Sequence, residues 1–267
     1  MGTVWRLIRD VDRDAAMNMA VDEAIMLSHT AGECPPTLRF YGWIRPSISL
    51  GYFQDISRGG FDVDSCARHG VQLVRRLTGG RAVLHGHDLT FSITAAESEL
   101  PSDNRSVLGS HSWLMGGIVE GLRLLGIDAQ LGGPGGGPHS ERSADCFAHA
   151  AACDIVVGRF KVAGSAQVRR NGVILEQGSI PFRRPDIEPS AVFGRQSQVS
   201  HVFREDPDRV TLEDAIIAGF QRALGIGLTE GQLSDGELAC ARDLVESRFG
   251  TVEWTHRRPG AFVDIRK

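Results

Sequence analysis

A chain of 267 residues with 29 basic and 33 acidic side chains, formal net charge −4, lacks the cationic excess expected of a protein that coats nucleic acid. Its 42% hydrophobic content supplies a packed core and excludes disorder as the general state, while no apolar run approaches the ~18 residues of a membrane helix. At roughly 150 residues per domain it holds one large domain or two smaller ones, and its charged N-terminus is unlike a secretory signal, so a soluble, cytoplasmic protein, monomeric by default, is expected.

Trp5 to Arg9 alternates as a strand, and Asp14 opens a helical run through Met17, Ala20, Ala24 and Leu27 that Gly32 can stop. Short β-rich pieces follow at Leu38 to Trp43, Ser47 to Gly51, Val71 to Arg75 and Leu89 to Thr94. A helix is expected over Ser106 to Leu125, with Trp113, Leu114, Ile118 and Leu122 on one face. The glycine- and proline-rich stretch from Gly132 to Pro138 reads as a mobile loop, and lacks the Gly-Lys-Ser/Thr ending of a phosphate cradle. Asp154 to Val157, Phe160 to Ala163 and Val173 to Ile180 read as strands, with turns at Gly158 and Asn171-Gly172. Pro181 to Pro207 is loop-like, Thr211-x-x-Asp214 is expected to cap a helix through Leu224, and Ser234-x-x-Glu237 another ending at Gly250. The sum is a mixed α+β architecture, with residues 1–205 as the main unit and 206–267 as a small helical portion of it.

Five cysteines, Cys34, Cys66, Cys146, Cys153 and Cys240, include no C-x2-C pair, so reduced thiols and no metal site are expected. Lysine stands at Lys161 and Lys267 alone among the 29 basic residues. An ammonium can lose its proton when desolvated and a guanidinium cannot, so Lys161 reads as chemically chosen, chance being the alternative. Fifteen residues before it lies Cys146, and a loop plus a strand of that length can bring thiol and amine together, which would favour thiolate; an inert cysteine is the alternative. The second candidate constellation is Arg75-Arg76-Leu77-Thr78-Gly79-Gly80-Arg81, followed by apolar Ala82 to Leu84 and His85. Its paired glycines let backbone approach a ligand, unless the segment is an ordinary hairpin.

Asn18-Met19-Ala20-x-Asp22-Glu23, Leu38-Arg39-Phe40-Tyr41-Gly42-Trp43, Ser49-Leu50-Gly51-Tyr52-Phe53-Gln54, Arg75-Arg76-x-Thr78-Gly79-Gly80-Arg81 through His85, and Lys161-Val162-x-Gly164-Ser165-Ala166-Gln167 together resemble the lipoate-protein ligase A / octanoyltransferase family over roughly residues 5 to 180. The resemblance implies a biotin/lipoyl-ligase-like fold enclosing a medium-chain acyl group. It implies substrate contacts at Arg75, Arg76, Thr78, Gly79, Gly80, Arg81, His85, Gly164 and Ser165, with Cys146 and Lys161 catalytic. Cys146-Phe147 matches the Cys-Phe motif of the octanoyltransferase branch, with Cys153 a rival thiol. That branch moves octanoate from acyl carrier protein, through a cysteine thioester, to a lysine of a lipoyl domain such as glycine cleavage H protein or a 2-oxo acid dehydrogenase E2, with no bound cofactor. Both partners are small acidic proteins, so docking is expected on a local arginine patch, with Arg75, Arg76 and Arg81 as candidates. Leu175-Glu176-Gln177-Gly178 departs from the family's Leu-Gln-His-Gly. His85 is placed near the acyl carbonyl by its motif position, a structural histidine being the alternative. The alternatives for the whole chain are an ATP-dependent lipoate ligase, an amidotransferase between lipoyl domains, and a non-catalytic carrier-binding protein.

Overall fold

The computed structural model describes residues 4–56, 62–132, 154–193, 203 and 205–256. In chain order the elements are β1 (Val4–Arg9), α1 (Ala15–Thr30), β2 (Thr37–Tyr41), β3 (Ser47–Leu50), α2 (Val63–Arg68), β4 (Gln72–Arg75), β5 (Val83–His85), β6 (Asp88–Ala96) and α3 (Val107–Leu124). There follow β7 (Gln130–Leu131), β8 (Ile155–Val157), β9 (Phe160–Arg170), β10 (Val173–Pro181), α4 (Pro189–Phe193), α5 (Arg209–Leu224), β11 (Gly227–Glu230), α6 (Asp235–Leu244) and α7 (Val252–His256).

Eight strands form one mixed sheet in the order β11-β1-β2-β6-β10-β9-β8-β7, and β4-β3-β5 form a second, smaller sheet. Strand alternation explains how the large sheet buries both faces. Leu7, Phe40 and Ile174 point into a core shared with Leu114 and Ile118 of α3 and Ile216 and Phe220 of α5, while their neighbours Ile8, Tyr41 and Leu175 point into a second core with α1 and Trp254. The α3–α5 crossing depends on small residues: a Cβ on Gly219 would lie 2.3 Å from Gly117 O and Gly121 N, so any larger side chain there separates the helices.

The local signals explain most boundaries. The Asp14 side chain accepts from Met17 N to start α1, Ser106 does the same for α3, and Ser234 and Glu237 form the expected capping box of α6. Asn171 and Gly172 take positive φ and close the β9–β10 hairpin, whose first strand runs to Arg170, well past the expected Ala163. Two expectations are corrected. Helix α5 starts two residues before Thr211, because Asp208 is the cap and Thr211 N donates to it. Residues 206–256 are not purely helical, since β11 extends the large sheet parallel to β1. The alternative of an ordinary hairpin around the glycine pair falls away, because β3 lies between β4 and β5, parallel to β4 and antiparallel to β5. None of the described helices is long and apolar enough to cross a membrane.

Candidate active site

Residues of the small sheet and its glycine-pair loop, of α1 and of β2, β6, β9 and β10 together line one narrow cavity. Met19, Val83, Ala166 and the rings of Tyr41 and Trp43 give it apolar walls. Its polar floor is already satisfied. Asp22, fully buried, accepts from Arg39 at 2.7 Å, Ser92 at 2.7 Å, Tyr41 at 2.9 Å and Gln177 Nε2 at 2.6 Å. Burial and the adjacent Asp22 carboxylate push the Tyr41 phenol well above its usual pKa, so it remains a donor. Gln177 also accepts from Thr78 Oγ1 at 2.9 Å, and so ties the glycine-pair loop to α1 through Asp22. A floor whose hydrogen bonds are complete offers an incoming molecule dispersion contacts rather than polar partners, which suits an alkyl chain.

Of the residues expected at the site, Arg76, Gly80, His85, Gly164 and Ser165 line this cavity. Arg76 is buried and braces the loop, donating to Ser49 O at 2.8 Å, Gly79 O at 2.6 Å and Arg81 O at 2.7 Å, while Thr78 accepts from its Nε. His85 has both ring nitrogens engaged, by Asp88 and by Ser49, and stacks on Trp43 at 4.1 Å between centroids. Arg75 is away from the cavity: fully buried, it donates to the backbone carbonyls of Gly51, Tyr52, Gln54, Trp254 and Thr255. The expected docking patch is therefore corrected. Arg75 and Arg76 face protein carbonyls, not solvent, because loop ends distant in sequence converge on them; Arg81 is half-buried.

Lys161 is buried, and its ammonium pairs with Asp154 Oδ1 at 2.9 Å. A Cβ on Gly164 would come within 2.7 Å of Lys161 Nζ, so glycine at that position leaves room for the lysine head behind the cavity wall. Sequence reasoning missed Asp154, although a signal existed: the β8–β9 hairpin pairs Val156 with Lys161, which brings a carboxylate two residues earlier back toward the lone lysine. Asp22 and Ser49 stand in the family motifs but were given no role, because their partners come from elements far apart in sequence, and Asp88 was passed over although it lies three residues after His85. Cys146, Phe147, Cys153 and the Gly-Pro loop beyond Gly132 lie outside the described residues.

The fold is that of lipoate-protein ligases. The chain matches a T. acidophilum protein of this kind solved with bound lipoic acid (TM-score 0.79, 30% identity, 96% of this chain and 99% of that one). It also matches a lipoate-protein ligase A bound with ATP (TM-score 0.80, 28% identity, 96% and 99%). The family model for the lipoyl protein ligase A/B catalytic domain matches residues 14–219, and the chain belongs to that family. Among curated relatives, the octanoyltransferase LipM of Symbiobacterium thermophilum is 40% identical over 97% of this chain and 100% of its own length.

Proposed function

We propose that this protein is an octanoyltransferase of lipoate biosynthesis, moving an octanoyl group from acyl carrier protein to a lysine of a lipoyl domain through a thioester on Cys146. The full-length similarity to an octanoyltransferase carries this reading, and the apolar cavity beside Lys161 supports it. The Cys146 thiolate attacks the thioester carbonyl of the carrier's phosphopantetheine arm; a new C–S bond forms, the old one breaks, and the departing thiol takes the proton. The lipoyl-domain amine then attacks the enzyme thioester, giving an amide and freeing Cys146. Thioester exchange is nearly isoenergetic and amide formation runs downhill, so no ATP and no bound cofactor are needed.

Lys161 serves this scheme as a cation held by Asp154. A desolvated ammonium favours the thiolate of Cys146 and the oxyanion of each tetrahedral intermediate. In this scheme backbone amides at Gly164 and Ser165 on β9, or at the Gly79-Gly80 turn, stabilise the oxyanion. The reaction takes place in the cytoplasm, where acyl carrier protein and lipoyl domains meet.

Intact-protein mass spectrometry after mixing with octanoyl-acyl carrier protein, without ATP, tests this directly. A hydroxylamine-sensitive octanoyl adduct on the wild type and none on Cys146→Ser is expected. Lys161→Ala should slow adduct formation by about 100-fold or more. One structural match was solved with ATP, which gives a second reading: no adduct, with modification of a lipoyl domain only from free lipoate plus ATP, would make this chain a ligase.

A further inference from the structure

We propose that Ser49 is a second acyl-accepting nucleophile of the cavity, activated by His85 and Asp88, that takes medium-chain acyl groups from thioesters as an oxygen ester. This rests on the acyl-cavity reading above, but uses neither Cys146 nor Lys161. Ser49 Oγ lies 2.8 Å from His85 Nε2, and His85 Nδ1 lies 2.7 Å from Asp88 Oδ2. The three residues come from different strands, β3, β5 and β6. The antiparallel pairing of β3 with β5 sets Ser47 opposite His85, and so Ser49 on its diagonal.

The proton positions follow from what surrounds Asp88. It is fully buried and also accepts from Thr90 Oγ1 at 2.9 Å, Ser179 Oγ at 2.7 Å and Gly86 N at 3.1 Å. Burial opposes its ionisation, but the charge and hydrogen bond of His85, with His87 and Ser179, outweigh burial and hold the carboxyl well below the usual range. An ionised Asp88 can only accept, so a proton sits on His85 Nδ1, and in the form of the ring that carries no second proton the Nε2 lone pair faces the hydroxyl of Ser49. That is the hydrogen-bond order of a serine–histidine–aspartate relay. Stacking on Trp43, with 17° between the rings, fixes the imidazole plane. Arg76 donates to Ser49 Oγ at 3.1 Å, placing a cation where the alkoxide develops. Ser49 and His85 both line the cavity, so the relay opens on the space assigned to the acyl group.

Ser49 Oγ attacks the thioester carbonyl as its proton passes to His85 Nε2. The C–O bond forms, the C–S bond breaks, and His85 delivers the proton to the departing thiolate. Water repeats the sequence on the ester, giving a proton to His85 as its oxygen takes the acyl carbon; the proton returns to Ser49 Oγ and the fatty acid leaves. The protein therefore hydrolyses medium-chain thioesters slowly when no amine acceptor is present.

The test uses the full chain carrying Cys146→Ala, incubated with the octanoyl thioester of N-acetylcysteamine and followed by intact mass and peptide mapping. The expected result is an octanoyl group on the Ser49 peptide that resists neutral hydroxylamine and is released by alkali. The Cys146→Ala/Ser49→Ala protein should show none, and Cys146→Ala/His85→Gln should form it about 100-fold more slowly. Cys146→Ser is run in parallel, with mapping to tell the two serines apart, in case the first background unfolds. Absence of acyl-Ser49 in protein with wild-type thermal unfolding overturns the proposal. Wild-type acyl-Cys146 in the same assay leaves the transferase reading standing, and its absence beside acyl-Ser49 would overturn that reading alone.

Discussion

Two carboxylates, Asp22 and Asp88, are fully buried, bond to residues that line the cavity and are held in different ways. Asp22 faces Arg39, itself fully buried and also donating to Asp10 and to Asn18, so its counter-charge is permanent. Asp88 faces a histidine, and its other donors are hydroxyls and a backbone amide. A guanidinium cannot give up its proton and an imidazole can. The first arrangement fixes structure, while the second can move a proton. The buried cation separates a girder from a relay more sharply than the burial of the acid does.

The comparison can be broken hardest at Asp22. Asp22→Ala leaves Arg39, Tyr41, Ser92 and Gln177 each short of an acceptor, and should cost about 3–5 kcal/mol of stability, read from urea denaturation. Gln177→Leu removes the link from Asp22 to Thr78 and should cost about 1.5–3 kcal/mol in the same assay. The Asp88 end should show itself as pH dependence. Its folded pKa lies below the unfolded value of about 3.9, so its contribution is complete above that pH and is lost as pH falls toward the folded pKa. Asp88→Asn should therefore flatten the fall in melting temperature below about pH 4, and an unchanged slope would count against the relay. The finest cut is at single hydroxyl donors: Ser92→Ala and Ser179→Ala should each cost about 0.5–1.5 kcal/mol, and Ser179→Ala, which removes a hydrogen bond to Asp88, should also alter the acid slope.

Much of the fold was legible in the sequence where the determinant is local. Asn171-Gly172 announced its hairpin, Asp14 its helix, and Ser234 with Glu237 its capping box. Local signals misled where two neighbours compete, as at Asp208 and Thr211, both able to start α5. β11 escaped because Gly227 to Glu230 is too short to show alternation, and its place is set by pairing with β1 more than two hundred residues earlier. At the site, the family motifs located the glycine-pair loop, Lys161 and Asp22, but neither Asp154 nor the bonds that tie Asp22 to the loop. The arginines show the same limit. In the sequence Arg75 and Arg76 read as charge for a partner, yet both are spent on carbonyls that only the tertiary structure assembles.

Arg75 also joins parts of the chain that sequence keeps far apart. Its guanidinium holds the carbonyls of Trp254 and Thr255 together with those of Gly51, Tyr52 and Gln54, while Trp254 Nε1 donates back to Arg75 O at 2.9 Å. Such a clasp makes α7 and β4 one cooperative unit of opening. The slowest-exchanging amides of residues 252–255 should therefore keep pace with those of β4 in hydrogen–deuterium exchange, and a nick in α7 should loosen the wall of the cavity that Arg76 braces.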